Sequence, residues 1–344
     1  MSKTSREIIL VTGGAGYLGS QCCKLLAAHG YRPVTYDDMS SGRPDFVRYG
    51  PKIEGNILDG ISLDSALREY SPKVNVHLAA LTEAEVSNSE PTLYYDINTC
   101  GTLALIEKCK EYGVEQFIFS STASVYGHPS DDRVTNSSPV GPFNPFGWSK
   151  LMAEKFLDDC AADAGLGVTI FRYFNVSGAD PDFELGMSFE NQTHLIPRLI
   201  EAAEKGTPFS IFGNDYDTHD GTCVRDYIHV WDIAAAHIAA IKSPVPRKRV
   251  RRFNLGLGQC NSVFEVLGSV ERITGSKIDL QVKGRLDGDV AKLVSGDSSE
   301  LSNALGWKAQ FTEIDDIFVM FGAGTVAMAK SGIFYFLYIF YPVL

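Results

Sequence analysis

Several large classes of protein are excluded by what this sequence lacks. Its 344 residues include seven cysteines, an odd number with no C-x-x-C pair, which argues for reduced thiols in a cytoplasmic protein over a disulfide framework. No cysteine is assigned a catalytic role. The seven histidines show neither H-x-x-x-H nor H-E-x-x-H spacing, so no metal site is expected. Basic residues are in deficit: 31 Lys and Arg against 42 Asp and Glu give a net charge of -11, which argues against a nucleic-acid partner. The one dense basic run, Arg247-Lys248-Arg249-Val250-Arg251-Arg252, reads as a solvated connection between a helix and a strand, not as a nucleic-acid or targeting signal. No signal peptide is expected, since polar residues lead straight into an apolar strand. Long apolar runs are also missing. The blocks Ile317–Ala329 and Ile333–Leu344 are each shorter than the ~17–25 residues that span a bilayer, so a packed segment is expected over a membrane anchor.

What is present is a globular composition, 44% hydrophobic and 21% charged, sufficient for one large or two modest domains. The organising stretch is Ile8-Ile9-Leu10-Val11-Thr12-Gly13-Gly14-Ala15-Gly16-Tyr17-Leu18-Gly19-Ser20. An apolar β-branched run turns through glycines directly into the apolar-periodic segment Gln21–His29, a strand, tight turn and helix. A side chain at Gly13 or Gly16 would hold a pyrophosphate off the backbone N–H groups, and Gly19 lets helix and strand pack closely. A second strand, Val34-Thr35-Tyr36, ends at Asp37-Asp38, about 20 residues past the turn, where an acid accepts from the adenosine ribose hydroxyls and repels a 2′-phosphate. This favours NAD over NADP, with Arg43 the one residue nearby that suits a phosphate. The alternative is an acidic surface turn.

Strands and helices then alternate. Helix Ser62–Tyr70 precedes strand Val74–Ala80, whose terminal Ala79 and Ala80 let a cofactor lie against the backbone. A helix over Pro91–Tyr112 carries Asn98 and Gly101 inward. Strand Phe117–Ser121 opens into Ser120-Ser121-Thr122-Ala123-Ser124-Val125-Tyr126-Gly127, a hydroxyl cluster at the sheet edge. Helix Gly147–Cys160 holds Lys150 in its first turn, and strand Val168–Arg172 runs into Tyr173-Phe174-Asn175. Such alternation implies right-handed crossovers and an α/β fold, a Rossmann-type doubly wound parallel sheet with a smaller C-terminal substrate domain. The expected division is 1–175 for the NAD-binding domain and 176–310 for the substrate domain, with 228–256 returning to the first, and 311–344 a divergent apolar tail. Further elements expected are helices Thr193–Lys205 and Trp231–Ile241 and strands Ser210–Gly213, Arg225–Val230 and Arg252–Leu255.

Four of these segments, Thr12–Gly19, Phe119–Gly127, Phe171–Asn175 and Phe212–Tyr216, together with Gly221-Thr222-Cys223-Val224-Arg225-Asp226-Tyr227-Ile228-His229-Val230, resemble the UDP-glucose 4-epimerases of the extended short-chain dehydrogenase/reductase superfamily. The likeness runs from about residue 7 to 310. It implies a tightly held NAD that takes a hydride from C4 of a UDP-hexose, and a 4-keto intermediate that turns over and takes it back on the other face, interconverting UDP-glucose and UDP-galactose in galactose metabolism. That chemistry needs a base at the 4-hydroxyl, a partner for that hydroxyl, and a cation that lowers the base's pKa.

Carried over residue by residue, the resemblance implies that Thr122 orients the hydroxyl and Lys150 binds the nicotinamide ribose. The catalytic Tyr position is Phe146, which can neither donate nor accept a proton. Tyr126, Thr122 or a water could carry the proton instead. Around the cofactor the resemblance implies Gly13, Gly16, Tyr17, Leu18, Gly19, Asp37, Asn56, Ile57, Ala79, Ala80, Asn98, Lys150 and Tyr173. Asn56 stands where the family has an Asp facing the adenine. Around the UDP-sugar it implies Thr122, Asn175, Arg225 and Arg285, while Leu286 in Arg285-Leu286-Asp287-Gly288-Asp289 stands where a phosphate-binding Arg would be. A 4,6-dehydratase would need an Asp-Glu pair after Thr122, where Ala123-Ser124 stand. A homologue that binds NAD and UDP-sugar without turnover, and a homodimer, are further readings.

Overall fold

The structure is a computed structural model that describes residues 6–187, 194–286, 288–296 and 298–318. Strands β1 (Ile8–Thr12), β2 (Arg32–Asp37), β3 (Lys52–Glu54), β4 (Val74–His77), β5 (Gln116–Thr122) and β6 (Gly167–Tyr173) come in sequence. They are separated by α1 (Tyr17–Ala28), α2 (Gly60–Tyr70), α3 (Ala84–Ser89), α4 (Pro91–Tyr94), α5 (Gly101–Glu111) and α6 (Pro145–Ala164). After them come β7 (Asn175–Ser177), α7 (Leu195–Lys205), β8 (Phe209–Phe212), β9 (Val224–Arg225), β10 (Tyr227–His229), α8 (Val230–Lys242), β11 (Arg249–Leu255) and α9 (Val263–Thr274). The central sheet is a seven-stranded parallel one in the order β11-β6-β5-β4-β1-β2-β3, the doubly wound α/β class.

Side-chain alternation explains why both faces are covered. Ile9 and Val11 of β1 and Val74 and Val76 of β4 belong to one core, under α1 and α8. Leu10 faces the other core, with Leu63 and Leu67 of α2, Leu105 of α5 and Leu157 of α6. A strand buried on both sides reads as a continuous apolar run. Strand order reverses at β1, whose neighbours are β2 and β4, and a ligand crevice opens beyond the carboxyl ends at such a point. A separate core, with Leu199 of α7, Phe209 of β8 and Val266 of α9, holds the smaller C-terminal elements together and takes in Ile317 and Phe318. The tail from 319 onward lies outside the described residues, as do Thr193 and Asp287.

Several expectations need correction. The helix expected over Pro91–Tyr112 is interrupted: a wider π-turn, Tyr95–Cys100, joins α4 to α5. The strand expected over Arg225–Val230 is two short strands, β9 and β10, in different sheets. The basic run is not a solvated connection throughout. Arg249 to Arg252 are strand residues of β11 at the sheet edge, where Arg251 Nε donates to Thr169 Oγ1 at 2.9 Å and Arg252 Nη2 pairs with Asp158 at 2.6 Å. Among the described residues no helix is long and apolar enough to cross a membrane.

Candidate active site

The crevice at the reversal is a cavity of about 830 Å³. Its floor at one end is the β1–α1 turn. Gly13 has φ +76°, and a Cβ there would stand 2.5 Å from the backbone nitrogen of Ala79; a Cβ on Gly19 would stand 2.0 Å from the carbonyl oxygen of Gly13. Both glycines are therefore required by the approach of the β1 and β4 ends to each other and by the closeness of α1. A Cβ on Gly16 would be 3.4 Å from its nearest neighbour, so no internal clash demands glycine there. Gly16 caps α1 without a side-chain hydrogen bond, and the first turn carries no acid, so the helix's first N–H groups and its positive end face the cavity. This is the cradle a pyrophosphate needs.

Asp37 closes β2 beside it. Its Oδ2 accepts from Ala15 N and its Oδ1 from Met39 N, each at 2.9 Å, which fixes the carboxylate while leaving lone pairs toward the cavity. Burial raises its pKa, and these backbone donors oppose the rise. Arg43 also lines the cavity but is engaged by Asp45 at 3.0 Å. Asn56 Nδ2 donates to Asp38 Oδ2 at 3.1 Å while Oδ1 accepts from Leu58 N, so the amide is held at the cavity wall with Ile57. Tyr17, Leu18, Ala79, Ala80 and Tyr173 line it as well. Asn98 does not: buried in the π-turn, it accepts from Leu81 N and donates to Leu81 O and Ser149 Oγ, bracing the segment after β4 against α6.

At the far end Thr122, Phe146 and Lys150 come together from β5 and the first turns of α6. Asn144 caps α6 by accepting from Gly147 N at 2.8 Å, which sets the register that turns Phe146 and Lys150, one turn apart, inward. Thr122 Oγ1 accepts from Ser124 N at 3.1 Å. Lys150 is buried, donates from Nζ to Ser120 O at 2.8 Å and lies 4.9 Å from the Phe119 ring centre; burial pulls its pKa down to about 7, with Glu154 opposing the fall. Phe146 packs edge-on to Tyr94, ring centres 6.4 Å apart. No phenol takes its place. The Tyr126 hydroxyl donates to Asn254 Oδ1 at 2.6 Å and accepts from Arg172 Nη1 at 2.9 Å, inside a network with Glu154 and Ser121 of which only Ser121 lines the cavity.

Asn175 lines the cavity, whereas Arg225 and Arg285 do not. The Arg225 guanidinium is bound to Asp289 and to the carbonyls of Val224 and Val290. Arg285 bonds Asp215 and stacks 4.2 Å from the Tyr216 ring centre. Two lining residues were invisible to motif reading, Glu83 and His194, whose only signal was position: one follows the β4 end, the other opens an apolar-periodic helix. Among the described residues the carboxylates close enough to share a metal are Asp180, Asp182 and Glu184, and the Lys24 ammonium sits among them.

Residues 9–256 match the model of the NAD dependent epimerase/dehydratase family. The chain belongs to that family. A UDP-glucose 4-epimerase of Rhizobium meliloti (strain 1021) is 40% identical over 304 residues, 88% of this chain and 92% of the relative. Among solved structures, a Brucella ovis UDP-glucose 4-epimerase in complex with NAD superposes with TM-score 0.87 at 38% identity, covering 92% of this chain and 98% of that one. A Bifidobacterium longum UDP-glucose 4-epimerase in complex with NAD+ and UDP gives TM-score 0.87 at 33% identity, over 94% and 98% of the two chains. The glycine cradle, the uncapped α1 and Asp37 of this epimerase-family chain fit the dinucleotide those structures contain.

Proposed function

We propose that the chain is a UDP-hexose 4-epimerase that interconverts UDP-glucose and UDP-galactose with a resident NAD. The observation that carries this reading is one cavity with a pyrophosphate cradle and ribose-binding acid at one end and Thr122 with Lys150 at the other. Gly13, Gly16, Gly19 and Asp37 would hold the dinucleotide, with Tyr17, Leu18, Asn56, Ile57, Ala79 and Ala80 against its adenosine half and Tyr173 and Lys150 at its nicotinamide half. When bound, the nicotinamide supplies the reversible oxidation of C4.

The protein's own groups do the rest. Thr122, fixed by Ser124, holds the hexose 4-hydroxyl. Lys150 anchors the nicotinamide ribose and contributes positive charge whose extent varies around neutral pH, because its buried amine titrates near 7. Asn175 is suited to the sugar diphosphate. Arg225 and Arg285 join it only after leaving Asp289 and Asp215, and Leu286 offers no charge, so a loosely held UDP-sugar is expected. Residues 1–175 with 228–256 would act as the NAD-binding part and 176–310 as the sugar-binding part. Exposed Trp148 and Met152, one turn apart on α6, support pairing with a second copy, and the seven free thiols support a cytoplasmic setting. The test is the absorbance of the bound nicotinamide on adding a UDP-hexose: its reduced form should appear with UDP-sugar and not with free hexose.

A further inference from the structure

The epimerase chemistry needs a proton acceptor at the hexose 4-hydroxyl, and Phe146 is none. The phenols around the cavity are engaged elsewhere. Tyr17 donates to Gly178 O at 2.6 Å, Tyr36 to Asn56 O at 2.9 Å and Tyr94 to Glu83 O at 2.6 Å, and Tyr173 is bonded to His237 at 2.8 Å. Tyr227 is buried with its ring edge-on to Phe318, and burial pushes its phenol up, away from ionisation. Asp37 and Asp38 stand at the adenosine end, and Glu83 is paired with His194 at 3.3 Å. Thr122 is an alcohol and does not titrate at working pH.

Lys150 differs by where it is held. It follows Phe146 by one turn of α6, is 4% exposed, and shares with Phe146 the end of the cavity that Thr122 lines. Its Nζ donates to the carbonyl oxygen of Ser120 at 2.8 Å, which fixes the nitrogen against β5 two residues before Thr122. The charged form finds little support there. Glu154, one turn further along α6, gives its carboxylate to Arg172 and Ser121. From β5 the amine meets the Phe119 ring, and next to that ring His77 of β4 is bonded to Thr12 and Thr102 and kept neutral by burial. Burial pulls the Lys150 pKa down to about 7, with Glu154 opposing the fall, so a large share of the amine is uncharged at neutral pH.

We propose that the uncharged Lys150 amine accepts the proton of the hexose 4-hydroxyl, the role a phenol at position 146 would take; this rests on the epimerase reading above. An ammonium offers three donors and no acceptor, and losing one proton leaves two N–H groups and a lone pair. One N–H serves Ser120 O, the second is free for the nicotinamide ribose, and the lone pair is left for the sugar. As the C4–H bond breaks and its electron pair passes to the oxidised nicotinamide, the O4–H bond breaks, its electrons close the C4 ketone, and the proton bonds to Nζ. The ammonium replaces the positive charge lost when the ring is reduced, so the net charge of the site is unchanged. Return of pair and proton, with the other face of C4 presented, restores a hexose and the free amine.

The experiment measures kcat and KM for UDP-galactose, with bound NAD quantified, in the chain as written, Lys150→Arg, Phe146→Tyr and the double variant Lys150→Arg/Phe146→Tyr. It also follows the Lys150 amine directly, by carbon-13 NMR of the lysine-labelled chain against pH, the Lys150 signal being the one missing from Lys150→Arg. Arginine keeps a charge and donors but does not give up its proton. Lys150→Arg should therefore lose at least about 10²-fold in kcat, whereas the double variant, with a phenol to take the proton, should stay within about tenfold of Phe146→Tyr. In the chain as written, kcat should rise with pH through the midpoint, near 7, at which the Lys150 signal titrates. The proposal is overturned by a Lys150→Arg kcat within a few-fold of the unmodified chain, or by a Lys150 signal that remains an ammonium's where kcat has reached its plateau. It is overturned equally by a loss in Lys150→Arg as large with the phenol restored as without it, which would make Lys150 a requirement for charge or cofactor alone. Absence of turnover and of nicotinamide reduction from both the chain as written and Phe146→Tyr would overturn the epimerase reading itself, whereas turnover in the chain together with any of those three results would overturn the proposal alone.

Discussion

The Arg172 guanidinium donates to the Tyr126 hydroxyl at 2.9 Å, and that contact removes from the chemistry the phenol four residues after Thr122. Tyr126 is held on its other side by Asn254, and Arg172 is held in turn by a two-pronged pair to Glu154, at 2.9 and 2.7 Å. A hydroxyl so engaged, in a residue 2% exposed, has no proton to trade with a sugar. Tyr126→Phe should therefore leave turnover within about twofold and cost about 1–2 kcal/mol of stability, the penalty for unpairing buried partners. Urea unfolding beside a turnover assay checks both halves.

The same network predicts a larger structural cost one step inward. Glu154 and Arg172 are both almost fully buried, and removing one charge leaves the other unpaired. Glu154→Gln should destabilise by about 3 kcal/mol or more. Because Ser121, which donates to Glu154, neighbours Thr122, it should also lower turnover in whatever fraction folds. Calorimetric unfolding reads the first effect.

At the dinucleotide end, Asp37→Ala should loosen NAD by about tenfold or more, through loss of the ribose acceptor and of the carboxylate that orders Ala15 and Met39. Gly13→Val should abolish NAD retention, since its side chain would run into the backbone at Ala79. Quantifying nicotinamide in the purified variants checks both.

Acid should destabilise the fold early. His77, His229 and His237 are buried neutral, held at about 3, 3 and 4 against an ordinary 6.5, in each case chiefly by burial. A depressed pKa means the unfolded chain binds the proton first, so the stability they contribute is complete above pH 6.5 and is lost as pH falls from there toward 4. Each can contribute a slope of up to about 1.4 kcal/mol per pH unit in that window. Urea midpoints between pH 7 and pH 4 measure it; a flat profile would contradict the burial argument.

The legible parts of the molecule were local ones. Ile9, Leu10 and Val11 announce a strand buried on both faces, and Gly13 and Gly19 announce a turn no side chain tolerates, because each constraint acts within a few residues. Thr122, Phe146 and Lys150 could be placed together by motif. What escaped depends on partners distant in sequence. Tyr126 pairs with Arg172 and Asn254, and Glu83 with His194, which no spacing rule links. Arg249 to Arg252 look like a solvated run, yet an edge strand can keep arginine stems along the sheet and their charges at Thr169 and Asp158. Asn98 looked like a cofactor contact from the inward face of a helix, but the π-turn aims its amide at Leu81.

The most direct test of the account is conversion of UDP-galactose to UDP-glucose by the purified chain, measured beside Phe146→Tyr with bound NAD quantified in both. The account predicts NAD in both, measurable conversion by the chain as written, and a rate at least about tenfold higher in Phe146→Tyr, from a phenol restored next to Lys150. Full NAD in both with no conversion by either would contradict it.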